Sequence, residues 1–461
     1  MQPAASRGAG GAHGLRRGGL PLGARGRRGA ALMLLRARAS AAAAGRLCIA
    51  LALCALPPGG AAAQGRTATD ADGPPPPGAH LQVFLLTAEA GDAIWERFGH
   101  NALVVRDTLA GTDISYNWGM FSFRQESFLT RLVQGRMRYW MQGRDLSDEL
   151  LGYRLQNRRV WMQPVLLTPS ERQRLYDDLR RTDTPEHRFY RYDYYRDNCS
   201  TRVRDALDAV LGGALRARLD TIRTEHSYRW HTARLLQDVP WAFAGIQYVV
   251  GRAGDRPLSA WEESFLPTVL QRHLETLEVT HDDGSRGPLL GARREVVRAE
   301  RPPEPETAPS GLLWGLAAGL LLAGGVVVAR RRAERGGRFA RAALGALAGG
   351  WGLIAGLAGT ALVLSWVFTD HVFWRANENV LQLAPLALPL AVLGPAAAIG
   401  RARRAAARVA VGVAAASAGG FLLQVLPGFD QVNGFVIALA LPVNLALAWS
   451  LLPPSEQPPL G

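Results

Sequence analysis

Residues 190–213 read YRYDYYRDNCSTRVRDALDAVLGG. After Cys199 the apolar residues Val203, Ala206, Leu207, Val210 and Leu211 recur at helical spacing, and Gly212-Gly213 ends the pattern. Asp197 or Asn198 supplies an N-cap, because a short polar side chain there can accept from the backbone N–H groups that a first turn leaves unpaired. Cys199 is therefore predicted in the first turn of a helix. Free N–H groups and the helix dipole favour an anion at that end, which draws a thiol down from its ordinary pKa of about 8.5. A thiolate so placed is a nucleophile in search of a base.

The candidate base lies upstream in FGHNALVVRD, residues 98–107. ALVVRD alternates and is β-branched, so it reads as a strand with His100 at its start. DISYNWGMFSF, residues 113–123, follows a turn at Leu109 to Thr112 and reads as its antiparallel partner. His100 would take the thiol proton and return it to a leaving group. Asn117, on the partner strand, is the first candidate to orient the imidazole. Either residue alone has a bland reading, a surface histidine or a buried inert thiol; the pair carries the inference. Tyr190, Tyr192, Tyr194 and Tyr195 read as strand packing rather than chemistry. Asp92 and Glu96 could form an acidic pair, but no histidine spacing nearby supports a metal site. No metal and no cofactor is expected.

The chain has 461 residues, enough for more than one domain, with a net charge of +14. Every basic residue is arginine, and the excess lies in the first 45 residues and in short runs between apolar segments. That distribution fits a GC-rich genome rather than a nucleic-acid surface, which needs a basic stripe interleaved with aromatics. Arg46 precedes the apolar run LCIALALCAL and the small-residue stretch PPGGAAAQ, the three parts of a secretory signal. Cleavage near Ala63 would remove Cys48 and Cys54 and leave Cys199 as an unpaired cysteine in an oxidising compartment.

These boundaries divide the chain into an N-terminal extension with signal peptide (1–64), a flexible leader (65–80), an exported domain (81–300), a Pro/Glu-rich linker (301–310), a membrane domain (311–452) and a tail (453–461). Five apolar stretches, near 311–329, 342–368, 380–399, 407–426 and 434–452, are each long enough to cross about 30 Å of hydrocarbon. The loops RRRAERGGR (330–338) and GRARRAAAR (400–408) are basic, whereas 369–379 and the stretch around PGFDQVNG (427–434) are neutral or acidic. The positive-inside rule then sets the region before 311 outside and the C-terminus in the cytoplasm. Trp366, Phe373 and Trp374 are expected at the outer interface as membrane anchors, and Leu235, Leu236, Val239 and Trp241 at a buried helix end.

FGHNALVVRD, YNWGMFSF, LVQGRMRYWM, DNCSTRVRDAL and SAWEESFLP together resemble the Lnb-type lipoprotein N-acyltransferase family, and TDHVFWRANENVLQLAPLAL resembles that family's periplasmic loop before a membrane helix. The order of histidine before cysteine is also similar to permuted papain-like folds. The resemblance implies an α+β exported domain of the NlpC/lecithin:retinol acyltransferase type, followed by an all-α transmembrane bundle of about five helices. It implies Cys199 as nucleophile and His100 as base. Asn198 and Arg202 beside the thiol, with His371, Asn377 and Asn379 in the membrane loop, are implied as substrate-binding positions. It further implies a multi-pass enzyme of the bacterial inner membrane that takes an acyl group from a phospholipid and passes it to a lipoprotein. A cell-wall peptidase or amidase with the same Cys–His pair, or a non-catalytic membrane sensor, are the alternatives.

Overall fold

The computed structural model describes residues 75–453. The expected signal segment with Cys48 and Cys54, most of the leader and nearly all of the tail lie outside the described residues. The remainder is a mixed α/β region followed by a helical region.

Nine strands and four helices position the site: β1 (Leu81–Ala88), β2 (His100–Asp107), β3 (Thr112–Met120), α1 (Phe128–Gln134), β4 (Arg138–Asp145), α2 (Leu146–Leu155), β5 (Val160–Val165), α3 (Pro169–Thr182), β6 (Phe189–Arg191), α4 (Cys199–Val210), β7 (Glu278–Thr280), β8 (Arg286–Pro288) and β9 (Arg294–Val297). Seven strands form one antiparallel sheet in the order β6-β4-β3-β2-β1-β5-β9, and β7 pairs with β8 apart from it. Both faces are covered, which the sequence alternation explains. Leu81, Val83, Leu85, Leu103 and Val105 face one core with Val203 and Leu207 of α4 and Leu175 and Leu179 of α3. Leu86, Ala88, Ala102 and Val104 face the other, with Leu146 and Tyr153 of α2.

The strand beginning at His100 and its partner through Asn117 form as the alternation predicts, in the register Leu103↔Tyr116. The tyrosine run does not: β6 ends at Arg191, Tyr192 stacks on Tyr139 at 4.1 Å, and Tyr195 packs among Tyr228, Phe265 and Phe373. The linker is held rather than free. Arg301 pairs with Asp92, and Arg234 binds Glu304 and the carbonyl of Pro305. Its charged side chains find partners that a count of its prolines could not reveal.

Among the described residues four helices are long and apolar enough to cross a membrane: Leu312–Glu334, Arg338–Phe368, Arg403–Leu423 and Gly434–Leu451. The third of the five expected stretches is instead a pair, Asn379–Ala387 and Leu390–Ala398, bent by 60°. Pro385 and Pro389 sit at the break and lack the N–H that would continue the helix. The glycines of the second span let the bent pair approach closely. A side chain at Gly359 would put its Cβ 1.7 Å from the carbonyl oxygen of Leu383.

The two regions dock through polar groups. The helix Pro240–Val249 leaves its last carbonyls unpaired within its own turns, as every helix does. Asn377 donates to the carbonyls of Tyr248 and Val249 at 2.9 and 3.0 Å, and Asn379 to those of Gln247 and Tyr248 at 2.8 and 3.0 Å. Phe373 is buried against Tyr195 and Tyr228, so it serves this junction and not a lipid interface. Trp374 stacks on His371, and Trp366 donates to the Trp374 carbonyl at 2.9 Å. Trp241, expected buried, is exposed. An Asn377→Ala substitution would leave the half-buried Val249 carbonyl without its partner, while that of Tyr248 keeps Asn379, at a cost of about 1–3 kcal/mol. The expected outcome is a lower unfolding midpoint in detergent, larger than that of Asn157→Ala in an exposed loop.

Candidate active site

Cys199 opens α4 as the capping pattern predicts. Asn198 is extended and accepts from the N–H groups of Ser200 and Thr201 at 2.9 and 3.0 Å, while Thr201 Oγ1 accepts from the Asn198 N–H at 2.8 Å. A cap of this kind stabilises a helix by about 1 kcal/mol. The Asn198 amide nitrogen is spent on the carbonyls of Tyr194 and Phe265. Asn198, expected to bind substrate, is thus committed on both sides of its amide to holding the helix start.

One residue further on, Ser200 Oγ lies between Asn101 Oδ1 at 2.9 Å and the Ser264 carbonyl at 2.8 Å. Asn101 follows His100 on β2 and donates to Thr87 Oγ1 and the Leu86 carbonyl. The chain neighbours of Cys199 and His100 therefore bond each other and fix the distance between the two. Gly119 on β3 has φ +88° and a Cβ there would stand 3.3 Å from that of Cys199. Only glycine suits both the left-handed backbone and the close approach.

The half-buried Cys199 thiol and His100 imidazole adjoin, near enough for each to act on the other's ionisation. His100 Nε2 meets Asn117 Oδ1 at 2.8 Å, which leaves Nδ1 for the sulfur. Burial opposes charge on both groups, but each favours the other's ionised form. The Cys199 pKa ends below its ordinary value: the charge and hydrogen bond of His100, with the N–H groups of Asn101 and Ser200, outweigh desolvation. The His100 pKa ends above its ordinary value because the Cys199 and Glu149 charges outweigh the same burial. Both shifts favour a thiolate–imidazolium pair.

Glu149, on α2, is the residue that sequence reading missed. Its Oε2 accepts from Asn117 Nδ2 at 2.8 Å and its Oε1 from Tyr153 at 3.1 Å, and it is buried. Asn117 donates as well to Ser115, so its Oδ1 is turned towards His100. Four groups thus run in series: Cys199, His100, Asn117, Glu149. An acid in the first turn of a helix reads as a dipole partner, and nothing in its local pattern aims it at β3.

The other expected positions stand apart from this series. Arg202 forms a two-pronged pair with Asp197, and its guanidinium covers the Tyr190 ring at 4.4 Å. His371 Nε2 bonds the Leu132 carbonyl at 3.0 Å and its ring stacks on Trp374 at 3.8 Å. Asn377 and Asn379 cap the docked helix. Each is tied to protein atoms and not turned to the thiol, so the geometry gives these residues a structural task. Asp92 and Glu96 do not pair: Asp92 is bound by Arg301, and Glu96 accepts from the Ala93 N–H. Among the described residues one group, His226, His231 and Glu263, brings possible metal-ligand atoms within 4.8 Å of one another. Its members bond each other instead. His231 and His273 hold both oxygens of Glu263, and despite burial these bonds lower its pKa to about 2.

Three outcomes follow for Cys199 alkylation by iodoacetamide. In the native chain the rate persists below the ordinary thiol pKa and falls as pH drops through the lowered one. His100→Ala removes the opposing charge and raises the thiol pKa, so the rate at neutral pH drops about tenfold for each unit of rise. Glu149→Gln keeps the shape but removes a charge that supports the imidazolium. Its alkylation profile shifts towards higher pH by less than that of His100→Ala; a merely structural Glu149 would leave the profile where it is.

Comparison with known proteins gives one match. Residues 77–236 match the family model described as the Lnb N-terminal periplasmic domain. No curated protein and no solved structure matches. The matched residues hold β1 through α4, and with them Cys199, His100, Asn117 and Glu149, while the membrane helices lie beyond them. The chain therefore carries an Lnb N-terminal periplasmic domain, consistent with the Lnb-type family, joined to several helices able to cross a membrane.

Proposed function

We propose that the protein is a membrane acyltransferase that works through a Cys199 thioester. The observation that carries this reading is Cys199 at the start of α4 beside His100, whose far nitrogen bonds Asn117. The same residue types in this order, histidine on a strand and cysteine later on a helix packed against the sheet, support a permuted papain-like relationship.

The Cys199 thiolate attacks the ester carbonyl of a phospholipid; a C–S bond forms and the C–O bond breaks. The imidazolium of His100 gives its proton to the departing alkoxide. An amine, such as the N-terminus of a lipoprotein, then attacks the thioester. An amide C–N bond forms, the C–S bond breaks, and His100 accepts the proton that the nitrogen sheds. A thioester suits the task because it reacts with amines and hydrolyses slowly where water is kept out. The Cys199 N–H at the open end of α4 can donate to the oxyanion in both steps.

The membrane part supports a substrate drawn from the bilayer. The basic loops 330–338 and 400–408 belong on one side and the loop 369–379 on the other. The bent pair between them is then a broken span, five crossings result, and the C-terminus is cytoplasmic.

Incubation of the purified protein with phospholipid vesicles should add one acyl group to Cys199, seen by mass spectrometry of the intact chain and released by neutral hydroxylamine. A Cys199→Ser chain should carry no hydroxylamine-labile acyl group. Lipoproteins from cells that depend on this gene should lose their N-acyl group in Cys199→Ala and His100→Ala strains; unchanged N-acylation in both would remove the reading.

A further inference from the structure

We infer that the segment from Phe121 to Val133, together with Trp95, inserts into the bilayer surface and opens a path for a lipid acyl chain towards Cys199. The insertion stands independently of the cysteine chemistry; the path deepens the function proposed above and rests on it.

Helix α1 buries none of its residues. Leu129 is 73% exposed, Val133 62%, Phe123 59% and Trp95 55%. A seven-residue helix with its apolar side chains in water has little to hold it folded. An exposed apolar cluster of this kind marks an interaction surface.

The joint beneath α1 says which surface it meets. The second span ends at Phe368. Directly after it, the Asp370 N–H donates to the Gln134 carbonyl at 2.8 Å, Asp370 pairs with Arg136 at 2.8 Å, and His371 bonds the Leu132 carbonyl. Val367 and Phe368, the last residues of the span, are exposed too. A helix fastened to the end of a membrane span lies at the boundary of headgroups and hydrocarbon. Apolar faces there sink about 5–10 Å into that boundary. Arg124 and Arg131 lie in the segment against one acid, Glu126, and Arg136 just beyond it is paired with Asp370; the remaining positive excess suits anionic headgroups.

An aromatic series leads inwards from this face. Trp95, Phe123 and Phe128 adjoin one another; Phe121 contacts Trp95 and Phe123 and stacks on Tyr139 at 5.0 Å, and Tyr139 stacks on Tyr192 at 4.1 Å. Burial raises the pKa of the Tyr192 phenol most, and the neighbouring Cys199 charge adds to it. An acyl chain lying along these rings would leave its ester near the sulfur.

The test uses the full chain with all three cysteines changed to serine and one new cysteine, Leu129→Cys, carrying the environment-sensitive dye NBD. It is reconstituted in phosphatidylethanolamine/phosphatidylglycerol vesicles with and without lipids brominated on the acyl chain. The control is Leu109→Cys, exposed in the turn between β2 and β3 at the opposite end of β3 from the segment. The expected result is a blue-shifted dye at 129 that loses most of its emission in brominated vesicles, with position 109 unaffected. No quenching at 129, or equal quenching at both positions, would overturn the insertion, as would a blue shift that depends on protein concentration and not on lipid. Because the chain lacks Cys199, this readout survives failure of the acyl-transfer proposal. Leu129→Glu with Val133→Glu, in the native cysteine background, should abolish acylation from vesicles while iodoacetamide alkylation in detergent keeps its rate; retained acylation would overturn the path.

Discussion

The site depends on a small polar junction where α4 meets β2. Ser200 Oγ links Asn101 on the strand to the Ser264 carbonyl, and Asn198 caps α4 while donating to the carbonyl of Phe265. All these groups are buried, so each missing bond would leave a donor or acceptor without water, at about 1–3 kcal/mol. A buried network of this kind has few arrangements. It sets Cys199 beside His100, and Gly119 leaves the room that the sulfur needs.

The membrane region joins this arrangement by the same means. Side-chain amides from the loop after the second span complete a helix of the exported domain. Arg229 and Asp255 form a buried ion pair at 2.5 Å whose carboxylate also accepts the Val432 N–H ahead of the last span. Breaking one partner of such a pair strands the other charge, which makes the docking specific even where its net stabilisation is small. The Tyr248 hydroxyl reaches the Ala358 carbonyl within the second span at 2.6 Å. The exported domain is therefore seated on the helices through several backbone carbonyls, and a single flexible tether would not reproduce its orientation. That seating brings α1 to the end of the second span.

Much of this was legible in the sequence because the signals are local. A cap is read within three residues, a strand by alternation, and a span by some twenty apolar residues. Hence the start of α4, the hairpin carrying His100 and Asn117, and four of the five apolar stretches all form where expected. The third breaks because Pro385 and Pro389 outweigh its overall hydrophobicity, a conflict that apolar length alone does not reveal.

Only the tertiary structure decided what each polar side chain faces. Asn117 and Glu149 are 32 residues apart, and Asn377 lies 129 residues from Tyr248. Partners at such distances are set by sheet register and by which helix covers which face, not by any period in the chain. So Glu149 enters the site unannounced, while Asn198, Arg202, His371, Asn377 and Asn379 turn to backbone carbonyls, N–H groups and a neighbouring carboxylate. By itself the sequence determined that a thiol would open a helix near a strand-borne histidine and that apolar spans would follow. The folded chain decided which groups complete the series behind that histidine, because a buried polar atom takes the partner that packing leaves within reach.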